Sequence, residues 1–163
     1  MIIAICGFMG AGKTSFLKMY PEANSVDLDK FMSEQLNQEL GDFIRESGWE
    51  KFREFESKSL SLALDSIGEE GLLSLGGGSL DSLENRELLS KRGVKILHLA
   101  VTFEEAMKRI KGDENRPQLD KGREELLALF TQREEVFEKA QDCSLPSDSQ
   151  VWPTNWTVLK SFF

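Results

Sequence analysis

The chain has 163 residues, of which 40% are hydrophobic and 29% charged, and its formal net charge is −8 at pH 7. This composition is typical of one globular domain, residues 1–163, that buries a core without cross-links. The acidic balance argues against a nucleic-acid partner, since no basic stripe is present to neutralise phosphates. The two cysteines form no CxxC pair, no stretch approaches the roughly 20 apolar residues that span a membrane, and no signal sequence is recognisable. We therefore expect a cytoplasmic protein with no membrane partner.

The chain opens with a predicted strand at 1–6 that leads into a phosphate-binding loop. Residues 7–14 read GFMGAGKT and match the pattern G-x-x-x-x-G-K-S/T in full. The glycines let successive N–H groups point into one anion nest, and the helix predicted at 13–19 adds the positive end of its dipole. Lys13 then reaches the β- and γ-phosphates of ATP, and the Thr14 hydroxyl holds Mg²⁺. The residues expected to bind the nucleotide here are Gly10, Ala11, Gly12, Lys13, Thr14 and Ser15.

Two carboxylates stand at the end of the second predicted strand, residues 24–28. Asp27 and Asp29 flank Leu28, and the period of two in a strand places both on one side. One carboxylate can support Mg²⁺ through its water shell, and the other can accept a hydrogen bond from a substrate hydroxyl. The alternative for Asp29 is the N-cap of the helix predicted at 29–39, because Asp is a favoured cap.

Arginine and glycine motifs follow in the next helix and strand. In the helix predicted at 49–67, Arg53 and Glu56 are three residues apart and can pair along one face. That pair is either solvated, or Glu56 holds Arg53 in position to grip an anionic substrate. Gly76, Gly77 and Gly78 come directly after the strand predicted at 71–75, where a ligand could approach the backbone closely. A plain loop is the alternative.

Helices are predicted at 80–91, 102–111 and 123–140, and strands at 94–101 and, less clearly, around Cys143. Strands that alternate with helices predict an α/β fold of three layers, with a five-stranded, mainly parallel sheet that binds ligands at the carboxyl ends of its strands. The polar segment 111–122 is either a surface loop or a mobile lid over the nucleotide. Positive charge for the site could come from Arg109, Arg116 and Arg133.

Together these motifs resemble the shikimate kinase family, over about residues 2–142. The family order is a phosphate-binding loop, Asp-x-Asp, Phe-Arg-x-x-Glu, Gly-Gly-Gly, an Arg-Pro lid element and a late arginine. The corresponding residues here are 7–14, Asp27 to Asp29, Phe52 to Glu56, Gly76 to Gly78, Arg116-Pro117 and Arg133. After residue 142 the match fades into an aromatic tail, which we expect to pack as a short final helix.

The resemblance implies a P-loop kinase that uses ATP and Mg²⁺ to phosphorylate shikimate in aromatic amino acid biosynthesis. It implies that Asp29, Arg53, the glycine triplet and Arg133 bind shikimate, with Asp29 also helping to deprotonate the attacking hydroxyl. Lys13 and Arg116 would stabilise the transferring phosphoryl group, Thr14 and (through water) Asp27 would hold the metal, and Arg109 would lie against adenine. We expect a monomer. The rival functions are a related small-molecule kinase, such as one for gluconate, and an inactive nucleotide-binding homologue.

Overall fold

The computed structural model describes residues 1–111 and 121–163. Arg116 and most of the predicted lid at 111–122 lie outside the described residues. The described strands are β1 Ile2–Cys6, β2 Ser25–Asp27, β3 Gly71–Ser74, β4 Lys95–Ala100 and β5 Cys143–Pro146. The described α-helices are α1 Lys13–Lys18, α2 Leu28–Leu36, α3 Leu40–Ser47, α4 Trp49–Ile67, α5 Leu83–Lys91, α6 Phe103–Ile110, α7 Arg123–Ala140 and α8 Trp156–Lys160.

The five strands form one sheet in the order β2-β3-β1-β4-β5, and every pairing in it is parallel. All four residues of β3 and the last four of β1 are buried. A strand buried along its whole length requires a cover on both faces, which the helices provide. The predicted α/β fold with a parallel sheet is therefore confirmed, and all carboxyl ends of the strands lie at the same edge.

The region between β2 and α4 differs from the prediction. The helix expected at 29–39 ends at Leu36, because Asn37 takes a left-handed backbone conformation with φ of 50°. A separate helix, α3, follows with Gly41 and Ile44 buried. A 3-10 turn at Ser79–Asp81 also precedes α5, where one continuous helix was predicted from residue 80.

The C-terminal segment, residues 147–163, packs on α1. The Trp152 ring meets the Phe16 ring edge-on, with centroids 4.9 Å apart, and the Tyr20 hydroxyl donates to the carbonyl of Pro153 at 2.8 Å. Trp156 in α8 is buried. The predicted short final helix is present and the two tryptophans pack as expected, whereas Phe162 is 49% exposed. Within residues 1–111 and 121–163, the structure contains no helix with the length and hydropathy needed to cross a membrane.

Candidate active site

The phosphate-binding loop leaves β1, the middle strand of the sheet, and leads directly into α1. Gly12 caps this helix in the left-handed region, with φ of 92°, which favours glycine. The Lys13 ammonium donates to the carbonyl oxygens of Gly7 at 2.7 Å and Phe8 at 3.4 Å, so it folds back over the loop. The first N–H groups of any helix lack intrahelical acceptors, and those of α1 lie at the end of the phosphate-binding loop. The strand, loop and helix thus have the arrangement that the motif predicts.

Asp27 lies against the loop. The Thr14 hydroxyl donates to Asp27 Oδ2 at 2.7 Å, which places a hydroxyl and a carboxylate side by side at the start of α1. Asp27 Oδ1 also accepts from the backbone N–H groups of Asp29 at 3.1 Å and Lys30 at 3.4 Å. The N-cap of α2 is therefore Asp27, and the alternative of Asp29 as that cap is wrong.

The strand argument that placed Asp27 and Asp29 on one side is also wrong. β2 ends at Asp27 and α2 begins at Leu28, so Asp29 follows helical geometry. Asp27 consequently faces Thr14, whereas Asp29 lines a cavity beside the glycine triplet. An ideal Cβ built on Gly76 would lie 3.1 Å from Asp29 Oδ1.

That cavity has a volume of about 510 Å³ and lies at the carboxyl edge of the sheet. Met9 of the phosphate-binding loop and Ile44 of α3 are part of its lining. The six residues predicted to bind the acceptor all line it: Asp29, Arg53, Gly76, Gly77, Gly78 and Arg133. Residues that are up to about one hundred positions apart in the sequence therefore meet around one space next to the loop.

Glu56 fixes Arg53 from inside the protein. Arg53 Nη1 donates to Glu56 Oε1 at 2.7 Å, and Glu56 is completely buried. The Ser79 hydroxyl donates to the other oxygen, Oε2, at 2.7 Å. A buried carboxylate is retained only when it is paired and hydrogen-bonded, as this one is. The solvated pair that the spacing allowed is excluded, and Glu56 holds Arg53 in place.

The second guanidinium, that of Arg133, meets the first at Gly78. A Cβ on Gly78 would touch Arg53 Nη2 and would lie 2.7 Å from Arg133 Nη2. Arg133 is 4% exposed, and its Nε is 3.7 Å from Asp81 Oδ2. Burial lowers the pKa of the Arg133 guanidinium, the charge of Arg53 lowers it further, and the carboxylates of Asp81 and Glu56 oppose this. Two cations therefore converge at one wall of the cavity, which suits a carboxylate.

Arg109 lies on the other side of the loop, at a second cavity of about 510 Å³ that Gly12 and Trp152 also line. Its guanidinium donates to the carbonyl oxygens of Gly10 at 2.9 Å and Ser147 at 3.0 Å, and also to the Ser147 hydroxyl. The Ser147 hydroxyl donates to the carbonyl of Ala11 at 2.5 Å. Arg109 thus joins the loop to the C-terminal segment.

Sequence reasoning missed Ser79, Asp81 and Ser147. Ser79 and Asp81 follow the glycine triplet within three residues, so the triplet itself was the signal that nearby polar side chains belong to the site. Ser147 comes just after β5 at the same edge of the sheet, but a serine in a polar tail carries no signal of its own. Its role depends on the long-range contact with Arg109.

Comparison with known proteins assigns the family. The family model described as shikimate kinase matches residues 9–154. The chain belongs to the shikimate kinase family. A shikimate kinase of Dictyoglomus turgidum is 34% identical over 91% of this chain and 88% of its own length. A pentafunctional AROM polypeptide of Saccharomyces cerevisiae is 33% identical over 87% of this chain, which corresponds to only 9% of that polypeptide.

Solved structures agree with the family assignment. The shikimate kinase from Acinetobacter baumannii, in complex with shikimate, superposes with a TM-score of 0.80 at 25% identity, over 88% of this chain and 82% of that one. The fold also matches that of Aquifex aeolicus shikimate kinase, with a TM-score of 0.76 at 24% identity over 99% of this chain and 93% of that one. The predicted family and the predicted enzyme class, an ATP-dependent phosphotransferase, are confirmed.

Proposed function

We propose that this chain transfers the γ-phosphoryl group of ATP to the 3-hydroxyl of shikimate, giving shikimate 3-phosphate and ADP. The observation that carries the proposal is the convergence of Arg53, Arg133 and Asp29 on one cavity that the phosphate-binding loop also lines. A nucleotide loop alone indicates only that ATP binds. A pair of guanidinium groups beside a carboxylate supports an acceptor that carries both a carboxylate and hydroxyl groups.

On the acceptor side, the planar forks of Arg53 and Arg133 would bind the substrate carboxylate. Asp29 would accept a hydrogen bond from a ring hydroxyl and take its proton as the oxygen attacks the γ-phosphorus. Gly76, Gly77 and Gly78 would border the ring, and their lack of a Cβ leaves room for the Asp29, Arg53 and Arg133 side chains that would bind it. Family membership and the position of these residues around one cavity support this assignment.

On the nucleotide side, the N–H groups of Gly10 to Ser15 and the Lys13 ammonium would bind and orient the phosphates. Arg109 would contact the base, because it lines the second cavity beside the loop. Arg116 is assigned to the transferring phosphoryl group from the family resemblance alone. Such a site works by positioning and by stabilising negative charge, since phosphoryl transfer requires little covalent chemistry from the protein.

Thr14 and Asp27 would hold Mg²⁺, Thr14 directly and Asp27 through water. Their hydroxyl and carboxylate oxygens are hard ligands that lie side by side at the loop. In the described ranges, no group of three or more His, Cys, Asp or Glu side chains could hold a metal. Phosphate oxygens and water would therefore complete the shell, which fits the reluctance of Mg²⁺ to lose its waters. When bound, the metal supplies charge neutralisation at the β- and γ-phosphates.

We also propose that residues 1–163 act as a single domain and as a monomer, in aromatic amino acid biosynthesis. The β1 loop, α2, α4 and α7 all contribute residues to the same cavity, which supports the single domain.

A coupled assay for ADP release tests the proposal. The wild-type protein should release ADP from ATP with shikimate, and not with gluconate or without an acceptor. Asp29→Asn should lower kcat by at least about tenfold, a modest loss for an acid–base group. Preference for gluconate, or ADP release that does not depend on shikimate, would contradict the proposal. No ADP release under any condition would favour an inactive homologue.

A further inference from the structure

An indole ring covers the guanidinium of Arg53. Trp49 is the first residue of α4, and its ring centroid lies 5.2 Å from Arg53 Cζ. The Phe52 ring lies 5.1 Å from the same atom. The two rings meet edge-on, with centroids 5.6 Å apart and an angle of 87° between their planes. Two aromatic rings therefore contact one guanidinium at the wall of the cavity.

Trp49 is not a core residue. It is 37% exposed and lines the cavity, in contrast to Phe52, which is 5% exposed. An exposed tryptophan places a large apolar surface in water, so its position calls for an explanation. The ring pair around Arg53 supplies one, because a guanidinium over an aromatic face is attracted to the electrons of the ring.

The position of Arg53 needs such support because Arg133 lies close to it. Both guanidinium groups approach Gly78, and the charge of Arg53 lowers the pKa of Arg133. Repulsion between them acts to move the more exposed side chain, Arg53, into solvent. Glu56 restrains only one end of Arg53, through Nη1. The aromatic rings restrain the face of the Arg53 guanidinium.

We propose that Trp49 is a positioning residue for the carboxylate end of the acceptor. It holds the Arg53 guanidinium in the orientation that binds a carboxylate, and so lowers the entropy lost when the acceptor binds. This inference rests on the proposed function, since shikimate supplies the carboxylate. Trp49 does not contact the reacting atoms and acts through Arg53.

Steady-state kinetics of four variants test the inference. Trp49→Ala should raise the KM for shikimate by about fivefold, as expected for the loss of one cation–π contact, and leave kcat and the KM for ATP within about twofold. Trp49→Phe keeps an aromatic face and should recover most of the affinity. Trp49→Leu keeps apolar bulk without that face and should behave like Trp49→Ala, which covers the case in which alanine impairs folding. Leu62→Ala is the matched control, an apolar residue of α4 that is 52% exposed and lies outside the cavity.

The outcomes distinguish failure of the Trp49 role from failure of the proposed function. A KM for shikimate in Trp49→Ala and Trp49→Leu equal to that of Leu62→Ala would overturn the role of Trp49 and leave the proposed function intact. An equal rise in the KM for both substrates that Trp49→Phe does not reverse would also overturn the role of Trp49, because it would indicate a general structural role. A wild-type protein that releases no ADP with shikimate would overturn the proposed function, and this inference with it.

Discussion

At the scale of single residues, the site depends on the close approach of Arg53 and Arg133 to the backbone of the glycine triplet, which carries no Cβ atoms. Three glycines after β3 indicated that a ligand comes near, and the structure adds that the groups nearest to Gly77 and Gly78 are the protein's own guanidinium groups. Gly78 has φ of −111°, which alanine also adopts, so the requirement for glycine there is one of space and not of backbone conformation. The two arginines occupy that space.

Gly78→Ala should raise the KM for shikimate by about tenfold or more, because the new Cβ displaces both guanidinium groups from their positions. Gly77→Ala is the graded comparison, since its Cβ would lie 3.2 Å from Arg133 Nη1 and demands a smaller shift. Kinetics with each substrate varied in turn measure the effect. Equal changes in the two variants, or a larger effect on ATP than on shikimate, would contradict this explanation.

At the scale of elements, the C-terminal segment contacts the phosphate-binding loop and α1. Ser147 connects the carbonyl of Ala11 in the loop to Arg109 of α6, and Trp152 packs on Phe16 of α1. The elements that carry the phosphate-binding loop are thus held from one side by the C-terminal segment, and both Ser147 and Trp152 lie within the range that the family model matches. We infer that the segment stabilises the loop in the conformation that binds phosphate.

Ser147→Ala should raise the KM for ATP by about fivefold, the loss expected for one hydrogen bond, and leave the KM for shikimate unchanged. Ser161→Ala is the control. It also removes a serine hydroxyl that donates to a backbone carbonyl, that of Val158 at 2.7 Å, but Ser161 lines neither cavity. If both variants show the same KM for ATP, Ser147 has no special role at the loop.

Most elements could be predicted from the sequence, because runs of apolar residues followed by glycine or aspartate mark the ends of buried strands. The region around α3 could not, since its eight residues have a short apolar pattern and the break at Asn37 depends on a left-handed conformation that asparagine only sometimes adopts. Asp29 was judged by strand geometry, and an error of one residue in the end of β2 changed its neighbours. The contact between the Trp49 indole and Arg53 could not be predicted, because it depends on side-chain orientations that a sequence pattern does not give.

At the scale of the whole molecule, the middle strand of the sheet carries a protonated thiol. Cys6 is fully buried in β1, directly before the loop, and burial raises the pKa of its thiol from 9.0 to about 12. In the unfolded chain the thiol titrates near 9. The native state therefore holds a proton that the unfolded state loses between pH 9 and 12. The contribution to stability is complete below pH 9 and decreases as the pH rises.

Urea unfolding of the wild type and of Cys6→Ala at pH 8, 9 and 10 checks this. Above pH 9 the free energy of unfolding of the wild type should fall faster than that of the variant, by about 1 kcal/mol for each pH unit. Cys143→Ala serves as the comparison, because that residue is only half-buried and the substitution should change the pH dependence much less. A difference between wild type and Cys6→Ala that stays constant from pH 8 to 10 would show that the thiol does not titrate differently in the two states.

The two arginines at Gly78 also affect the stability of the folded protein. Crowded like charges, one of them almost fully buried, make the fold less stable than it would be with an apolar side chain in place of Arg133. A buried arginine that lowers stability is expected where the site, and not the fold, requires it. An anion between the two guanidinium groups would offset their repulsion, so a bound carboxylate is expected to raise the free energy of unfolding.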